Sequence, residues 1–326
     1  MLKKIVLLIS LTFLPSACMA QDVTMTKKPF GGWKNCIWLS NGQVELVATT
    51  DIGPRIVRFG YVDGQNFLCE LKSQMGLTGG DEWRNYGGHR LWHAPEMMPR
   101  TYDPDNTPID YQWKNGKLTL TQPVEPTTGI VKQMEITLHP RSHQVTIIHR
   151  LTNTNLWPIK LAPWCLTVMA LDGRAIIPQE PFHDEPEYLL PSRTLVLWPY
   201  TDMQDPRFIW GSRYLQIKQD PRAPSKQKIG ALNTLGWTAY CLNDEVFIKR
   251  YPYDPKAQYV DLGCNIEIFT NPDILEIESL GPLTELDHQQ TVTHTEDWFL
   301  FKANIPETED AITRKLLPLV KKTDRP

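Results

Sequence analysis

The sequence carries little surplus charge of either sign. Its 326 residues include 34 basic and 37 acidic side chains, a net charge of −3. Nucleic-acid binders usually carry a basic excess, so that class has no support. No CxxC pair occurs, which removes the usual cysteine zinc site. Also missing are a glycine-rich phosphate loop, a serine nucleophile elbow and an HExxH motif. Nucleotide binding, serine-triad hydrolysis and zincin chemistry therefore lack support, and no cofactor is expected. Glycine (19) is outnumbered by proline (27). Prolines interrupt helices, and the 11 Trp and 11 Tyr suit strands, so a helical bundle is excluded. No long polar tract breaks the 41% apolar content, which argues against disorder of the whole chain.

What is there begins with an address. Lys3 and Lys4 precede the apolar run Ile5 to Leu14, followed by Pro15, Ser16, Ala17, Cys18, Met19 and Ala20. A positive start, a short apolar stretch and small residues form the pattern of an export signal over residues 1–20. The run is short for a membrane span, and no later segment looks membrane-spanning. Ala20 and Cys18 fit cleavage before Gln21. The alternative is a lipid anchor at Cys18, although lipoprotein signals usually place Leu where Pro15 stands. The mature protein is thus expected in the periplasm or secreted, with anchoring at the outer membrane as the alternative. Cys36, Cys69, Cys165, Cys241 and Cys264 remain, mostly as buried small apolar residues, with some pairing left open.

The body reads as strands. Gln43 to Thr49 alternates, with Val44, Leu46 and Ala48 on one face, the half-buried strand pattern. Ile56 to Gly60 follows Gly53-Pro54. Asp63-Gly64 and Asn115-Gly116 are hairpin turn signals, the second between Tyr111-Gln112-Trp113 and Leu118 to Thr121. Met134 to Leu138 and Val145 to Leu151 form another pair. Further strands are expected at 164–170, 246–249, 265–269, 275–280 and 291–301. Outside the signal, only Ala311 to Lys322 invites a helix, and Pro318 is expected to cut it. Short strands with turn clusters predict an all-β sandwich or barrel. Residues 21–326 are read as one domain with a core of about 33–301, Gln21 to Lys34 as a lead-in and Lys321 to Pro326 as a loose end.

Chemistry concentrates in four stretches. In Gly87-Gly88-His89-Arg90-Leu91-Trp92-His93-Ala94-Pro95-Glu96, an extended chain puts His89 and His93 on one face and Arg90 and Trp92 on the other. Two imidazoles could serve as acid and base near neutral pH. Metal ligation with Glu96 is disfavoured, because Gly-Gly and Pro95 oppose the helix that makes i, i+4 histidines converge. Arg100 to Asn106 is turn chemistry, either a surface loop or the rim of a pocket. Trp198, Tyr200, Asp202 and Arg207 suit a sugar, whose apolar faces stack on aromatics and whose hydroxyls meet charged planar groups; core aromatics beside a turn are the plainer reading. In Leu275 to Leu283, Glu276 and Glu278 share a strand face, either meeting water or converging on a site. Asn265 and Glu267 repeat that alternation, and Lys249 and Arg250 lie on what reads as another neighbouring strand. Together they suggest a polar groove across a sheet.

Several blocks carry a family resemblance. They are Val44-Glu45-Leu46, Asp51 to Ile56, the Gly87 to Glu96 block, Leu161-Ala162-Pro163-Trp164, Trp198 to Asp202, Gly263-Cys264-Asn265 and Glu278 to Leu283. Over about Trp33 to Phe301 the chain resembles the bacterial domain of unknown function 4380, itself similar to galactose mutarotases (aldose 1-epimerases). The resemblance implies an all-β, large antiparallel β supersandwich with few short helices and a sugar groove on one sheet. Mutarotases open the sugar ring with a glutamate base and a histidine acid. Glu278 matches the base, but Trp164 stands where the acid histidine would be, and His89 or His93 is the expected replacement. The expected reacting groups are therefore Glu278, His89 and His93. Arg55, Arg90, Trp92, Glu96, Trp164, Trp198, Asp202, Asn265 and Glu267 would bind a mono- or oligosaccharide, with no metal. Three functions stay open: ring opening of aldose 1-epimerase type, sugar binding without catalysis, and a lyase or hydrolase on the same groove.

Overall fold

The computed structural model describes residues 22–324. The expected export signal and the lipidation alternative at Cys18 lie outside the described residues. Two large antiparallel sheets dominate, as the all-β supersandwich reading requires. The first has eleven strands. Its middle runs Arg55–Tyr61, His89–Ala94, Ile159–Met169, Leu275–Leu280, Ile266–Thr270 and Gln227–Ala231, with Leu195–Leu197 at one edge and Thr24–Lys27 at the other. The second has ten, centred on Trp237–Leu242, Glu245–Arg250, Thr291–Lys302 and Gln144–Asn153. Among the described residues, no helix is long and apolar enough to cross a membrane.

The sheets close on each other through their alternating apolar faces. Leu46, Phe59, Leu91 and Ile277 from the first meet Met134, Ile147, Phe247 and Trp298 from the second in one buried cluster. Ile130–Leu138 and Gln144–Asn153 alternate buried and half-buried residues along their whole length, as period two demands. Asn115 (φ 53°) and Gly116 (φ 73°) both take positive φ in the tight turn joining Asp110–Lys114 to Lys117–Thr121, the geometry that Asn-Gly favours.

Four expectations need correction. The helix is not cut at Pro318. Helical turns run from Glu309 to Lys321, with Thr308 capping the Ala311 amide and a wider π turn at Ile312–Leu316 just before the proline. That turn lets the ladder shift register where proline has no N–H to give. The helix packs Ile312, Leu316 and Val320 on the outer face of the second sheet, against Ile176, Trp237 and Ile248. The lead-in contains an edge strand, Thr24–Lys27, paired with Cys36–Ser40. The loose end is tied at Thr323, whose hydroxyl accepts from Arg250 Nε at 2.7 Å. Lys249 and Arg250 belong to the second sheet rather than beside Glu278. All five described cysteines are buried free thiols.

Candidate functional site

The site grows from five adjacent strands of the first sheet. Two glycines start it. Gly87 (φ 77°) and Gly88 (φ 71°) occupy the left-handed region, and a Cβ on them would lie 2.2 Å from Cys69 O and 2.3 Å from Ile56 O. The chain thereby enters His89–Ala94 hard against its neighbours. Register then aligns Arg90 with Leu166, and Leu166 with Glu278, which in turn pairs with Glu267. One row along, Trp92 meets Trp164; in the other direction Glu276 meets Phe269, which meets Lys228. All of these side chains rise from the face turned away from the second sheet.

They floor a cavity of about 670 Å³ lined by Trp83, Asn85, Arg90, Trp92, Glu96, Tyr102, Trp164, Tyr200, Lys228, Glu276 and Glu278, among others. Two ion pairs cross the floor diagonally. Arg90 Nη1 donates to Glu276 Oε1 at 2.9 Å, and Asn85 Nδ2 reaches the same oxygen at 3.3 Å. Lys228 Nζ donates to Glu278 Oε2 at 2.9 Å and lies 2.7 Å from Glu267 Oε2, an ion-pair contact off the angle of a hydrogen bond. Trp164 Nε1 also donates to Glu278 Oε2, at 3.0 Å. Both bonds to Glu278 fall on Oε2, and neither engages Oε1. The Lys228 ammonium sits between the rings of Trp164 (4.8 Å) and Trp198 (4.7 Å), and the Arg90 guanidinium lies over Trp92 (4.6 Å).

Electrostatics follow from this burial. Burial alone would lower the Lys228 ammonium, but Glu278 and Glu267 outweigh it and hold its pKa well above the ordinary value. Burial raises both carboxyls, and Lys228 offsets part of the rise. Glu267 is fully enclosed, and its burial together with the neighbouring Glu278 charge holds its carboxyl well above the ordinary value despite the nearby lysine.

The strand His89–Ala94 splits its expected site residues between two faces. Arg90 and Trp92 line the cavity, whereas His89 and His93 point between the sheets. His89 Nε2 lies 2.8 Å from His149 Nε2, and its Nδ1 lies 2.9 Å from Thr167 Oγ1. His93 Nε2 lies 3.6 Å from Glu125 Oε2, a carboxylate also held by Lys132. Burial lowers both imidazoles. The expectation that His89 or His93 faces Glu278 as its acid partner is therefore corrected: alternation along one strand sends them to the opposite side of the sheet from Arg90.

Around His89 a closed network forms. Lys249 Nζ donates to Glu296 Oε1 at 2.8 Å, Ser279 Oγ donates to the same oxygen at 2.6 Å, and Trp298 Nε1 donates to Oε2 at 2.8 Å. Ligand atoms of His89, His149 and Glu296 lie within 4.8 Å of one another, a spacing that a metal could use. The ammonium of Lys249 already balances that carboxylate, and both its oxygens are engaged, so the donor set does not fit a metal.

The remaining expected residues divide in the same way. Glu96 lines the cavity at its exposed rim and accepts from the Tyr102 hydroxyl. Trp198 covers Lys228 from above. Arg55 does not reach the cavity; buried completely, it donates to Asn85 O, Gly87 O and Asp105 and so holds the loop that presents Asn85. Asn265 spends its side chain on the backbone of Asn233. Asp202 is an exposed turn residue that caps Gln204 N. Lys228 escaped the sequence reading altogether. Gln227-Lys228-Ile229-Gly230-Ala231 has no alternation and a glycine near its end, and no strand was expected there. The only signal is a lysine in a five-residue stretch whose other members are uncharged.

No family model matches the chain, and no curated protein matches it, so the resemblance to domain of unknown function 4380 rests on the quoted residues alone. Solved structures do match. A protein from Klebsiella pneumoniae, provisionally named an aldose 1-epimerase, aligns at TM-score 0.56 and 9% identity, covering 92% of this chain and 87% of its own. A protein from Salmonella typhimurium, provisionally named a mutarotase, aligns at 0.54 and 10% identity over 85% and 94%. A galactose mutarotase-like protein from Lactobacillus casei aligns at 0.51 and 10% identity over 82% and 100%. At such identities the likeness establishes the fold: the chain is a galactose mutarotase-like β supersandwich.

Proposed function

We propose that the protein is an exported carbohydrate-binding protein whose ligand lies on the face carrying Glu276 and Glu278. One observation carries this reading. Two buried carboxylates, each bonded to its own cation, floor an open cavity walled by Trp83, Trp92 and Trp164. Fixed charged hydrogen-bonding groups suit hydroxyls, and aromatic walls suit the C–H faces of a pyranose. The solved neighbours named for mutarotases support the choice of a sugar. Titration calorimetry with free sugars and small glycans tests it: saturable binding that weakens in Glu278→Gln is expected, and no heat with any saccharide would contradict it.

A second reading, ring opening at the anomeric centre, is favoured by Glu278 itself. It lies on a late strand at the cavity floor with burial raising its pKa, and Oε1 is not engaged. Among the described residues no imidazole lines this face to supply the acid that ring opening needs, and Lys228, held charged by two carboxylates, is a weak proton donor. Proton NMR of anomeric exchange decides: exchange above the buffer rate that disappears in Glu278→Gln would promote catalysis over binding. Export to the periplasm through residues 1–20, and membership of domain of unknown function 4380, belong to the same proposal; signal-peptide cleavage before Gln21, read by mass spectrometry, checks the first.

A further inference from the structure

The cavity floor is double. Glu276 and Glu278 stand two residues apart on one strand, about 7 Å along its axis, and both face the cavity. They do not share a cation: Arg90 serves Glu276, and Lys228 serves Glu278. Their surroundings differ as well. Glu278 lies beside Trp164, with Trp198 over its lysine and Tyr200 near the rim. Glu276 lies beside Phe269 in register, with Ile274 and Leu71 forming an apolar shore and Ser73 and Asp273 standing at its edge.

A single pyranose stacked on Trp164 and bonded to Glu278 covers the first of these stations. It leaves Glu276, Arg90 and the Phe269 shore bare. The volume of about 670 Å³ lies near the middle of the range for small-molecule sites. Both stations are rigid, since every charged group on the floor is already held by a partner, so neither needs a ligand to organise it. We infer that the ligand is a glycan of at least two linked rings, one at Glu278 against Trp164 and the next at Glu276 against Phe269. This rests on the carbohydrate reading and adds the length and placement of the ligand.

Calorimetry on the whole mature chain separates the two. The probes are glucose, galactose and xylose against cellobiose, maltose, lactose and xylobiose. The expected result is a disaccharide that binds at least about tenfold more tightly than either of its component sugars. In Ser73→Trp, which places bulk at the second shore, that advantage should disappear. Asp273→Ala, at an exposed position where folding is not at risk, should weaken the disaccharide by a few-fold. Equal affinity for a monosaccharide and its disaccharide would overturn the two-ring inference and leave sugar binding standing. An advantage that persists unchanged in both variants would overturn the placement at Glu276. Absence of binding by every saccharide would overturn both.

Discussion

Two strands of the first sheet, His89–Ala94 and Leu275–Leu280, contribute to two buried polar clusters on its opposite faces, the inner one completed by strands of the second sheet, and the clusters are put together differently. Toward the cavity stand Glu278, Glu267, Lys228, Glu276 and Arg90; between the sheets stand Glu296, Lys249, Ser279, His89, His149 and His294. Each contains a lysine–glutamate pair with a tryptophan indole donating to the same glutamate: Trp164 to Glu278 and Trp298 to Glu296. The inter-sheet carboxylate is engaged on both oxygens and sealed by apolar side chains. The cavity carboxylate is engaged on one oxygen only and opens onto 670 Å³ of space. Apart from His294 Nδ1, the inter-sheet groups satisfy one another and serve the fold, whereas a carboxylate left with an unused oxygen facing space can serve a ligand.

Removing one partner from each cluster should expose that difference most strongly. Glu296→Ala leaves the Lys249 ammonium enclosed and unpaired, and should cost about 3–5 kcal/mol in urea unfolding. The double variant Lys249→Met, Glu296→Leu should recover most of it. Glu278→Ala should cost less than half as much, because Lys228 keeps Glu267 at 2.7 Å as a partner and because water enters the cavity. Equal losses at the two sites would break the comparison.

Acid should attack the inter-sheet cluster. Burial pushes His149 and His294 down to about 3, against an unfolded value near 6.5. Between those values the unfolded chain binds protons that the folded chain refuses, so stability falls as pH falls from about 6.5 toward 3. Each histidine contributes up to about 1.4 kcal/mol per pH unit. The raised carboxyls of Glu267 and Glu278 act in the opposite sense, taking up protons on folding. The comparison of wild type with His294→Gln at pH 7 and pH 5 isolates the histidine part; the variant should lose less stability on acidification. Identical pH slopes would contradict the assignment.

Ligand binding should respond to the other cluster. Glu278→Gln keeps the shape but removes a charged acceptor, and should weaken saccharide binding by about 1.5–3 kcal/mol with little change in the unfolding midpoint. Trp164→Phe keeps most of the wall and loses one indole bond to Glu278, for a smaller loss of about 0.5–1.5 kcal/mol. A Trp164→Phe effect larger than that of Glu278→Gln would place the anchor on the wall rather than the floor.

Much of this was legible in the order of residues. Alternation located Leu275–Leu280 to the residue and put Glu276 and Glu278 on one face. It also paired Arg90 with Trp92 and His89 with His93. What alternation cannot say is which of two faces meets the partner sheet. Both faces of His89–Ala94 are buried, so polarity gave no hint, and the histidines were assigned to the cavity when they belong to the core. Asn265 looked like a groove residue because it shares parity with Glu267, yet it lies one position before Ile266–Thr270 begins, where it knits a turn. Lys228 was invisible for the complementary reason. Its strand is buried on both sides, and only the carboxylates of two other strands, brought near by register, make a buried lysine stable there.

The two indoles offer the most direct test, because each reports on one cluster. In nitrogen-15-labelled protein, with indole signals assigned through Trp164→Phe and Trp298→Phe, a saturating saccharide should shift the Trp164 Nε1–H resonance and leave that of Trp298 in place. A Trp164 signal that stays fixed while saccharide binds, or a Trp298 signal that moves as far, would contradict a ligand seated over Glu278.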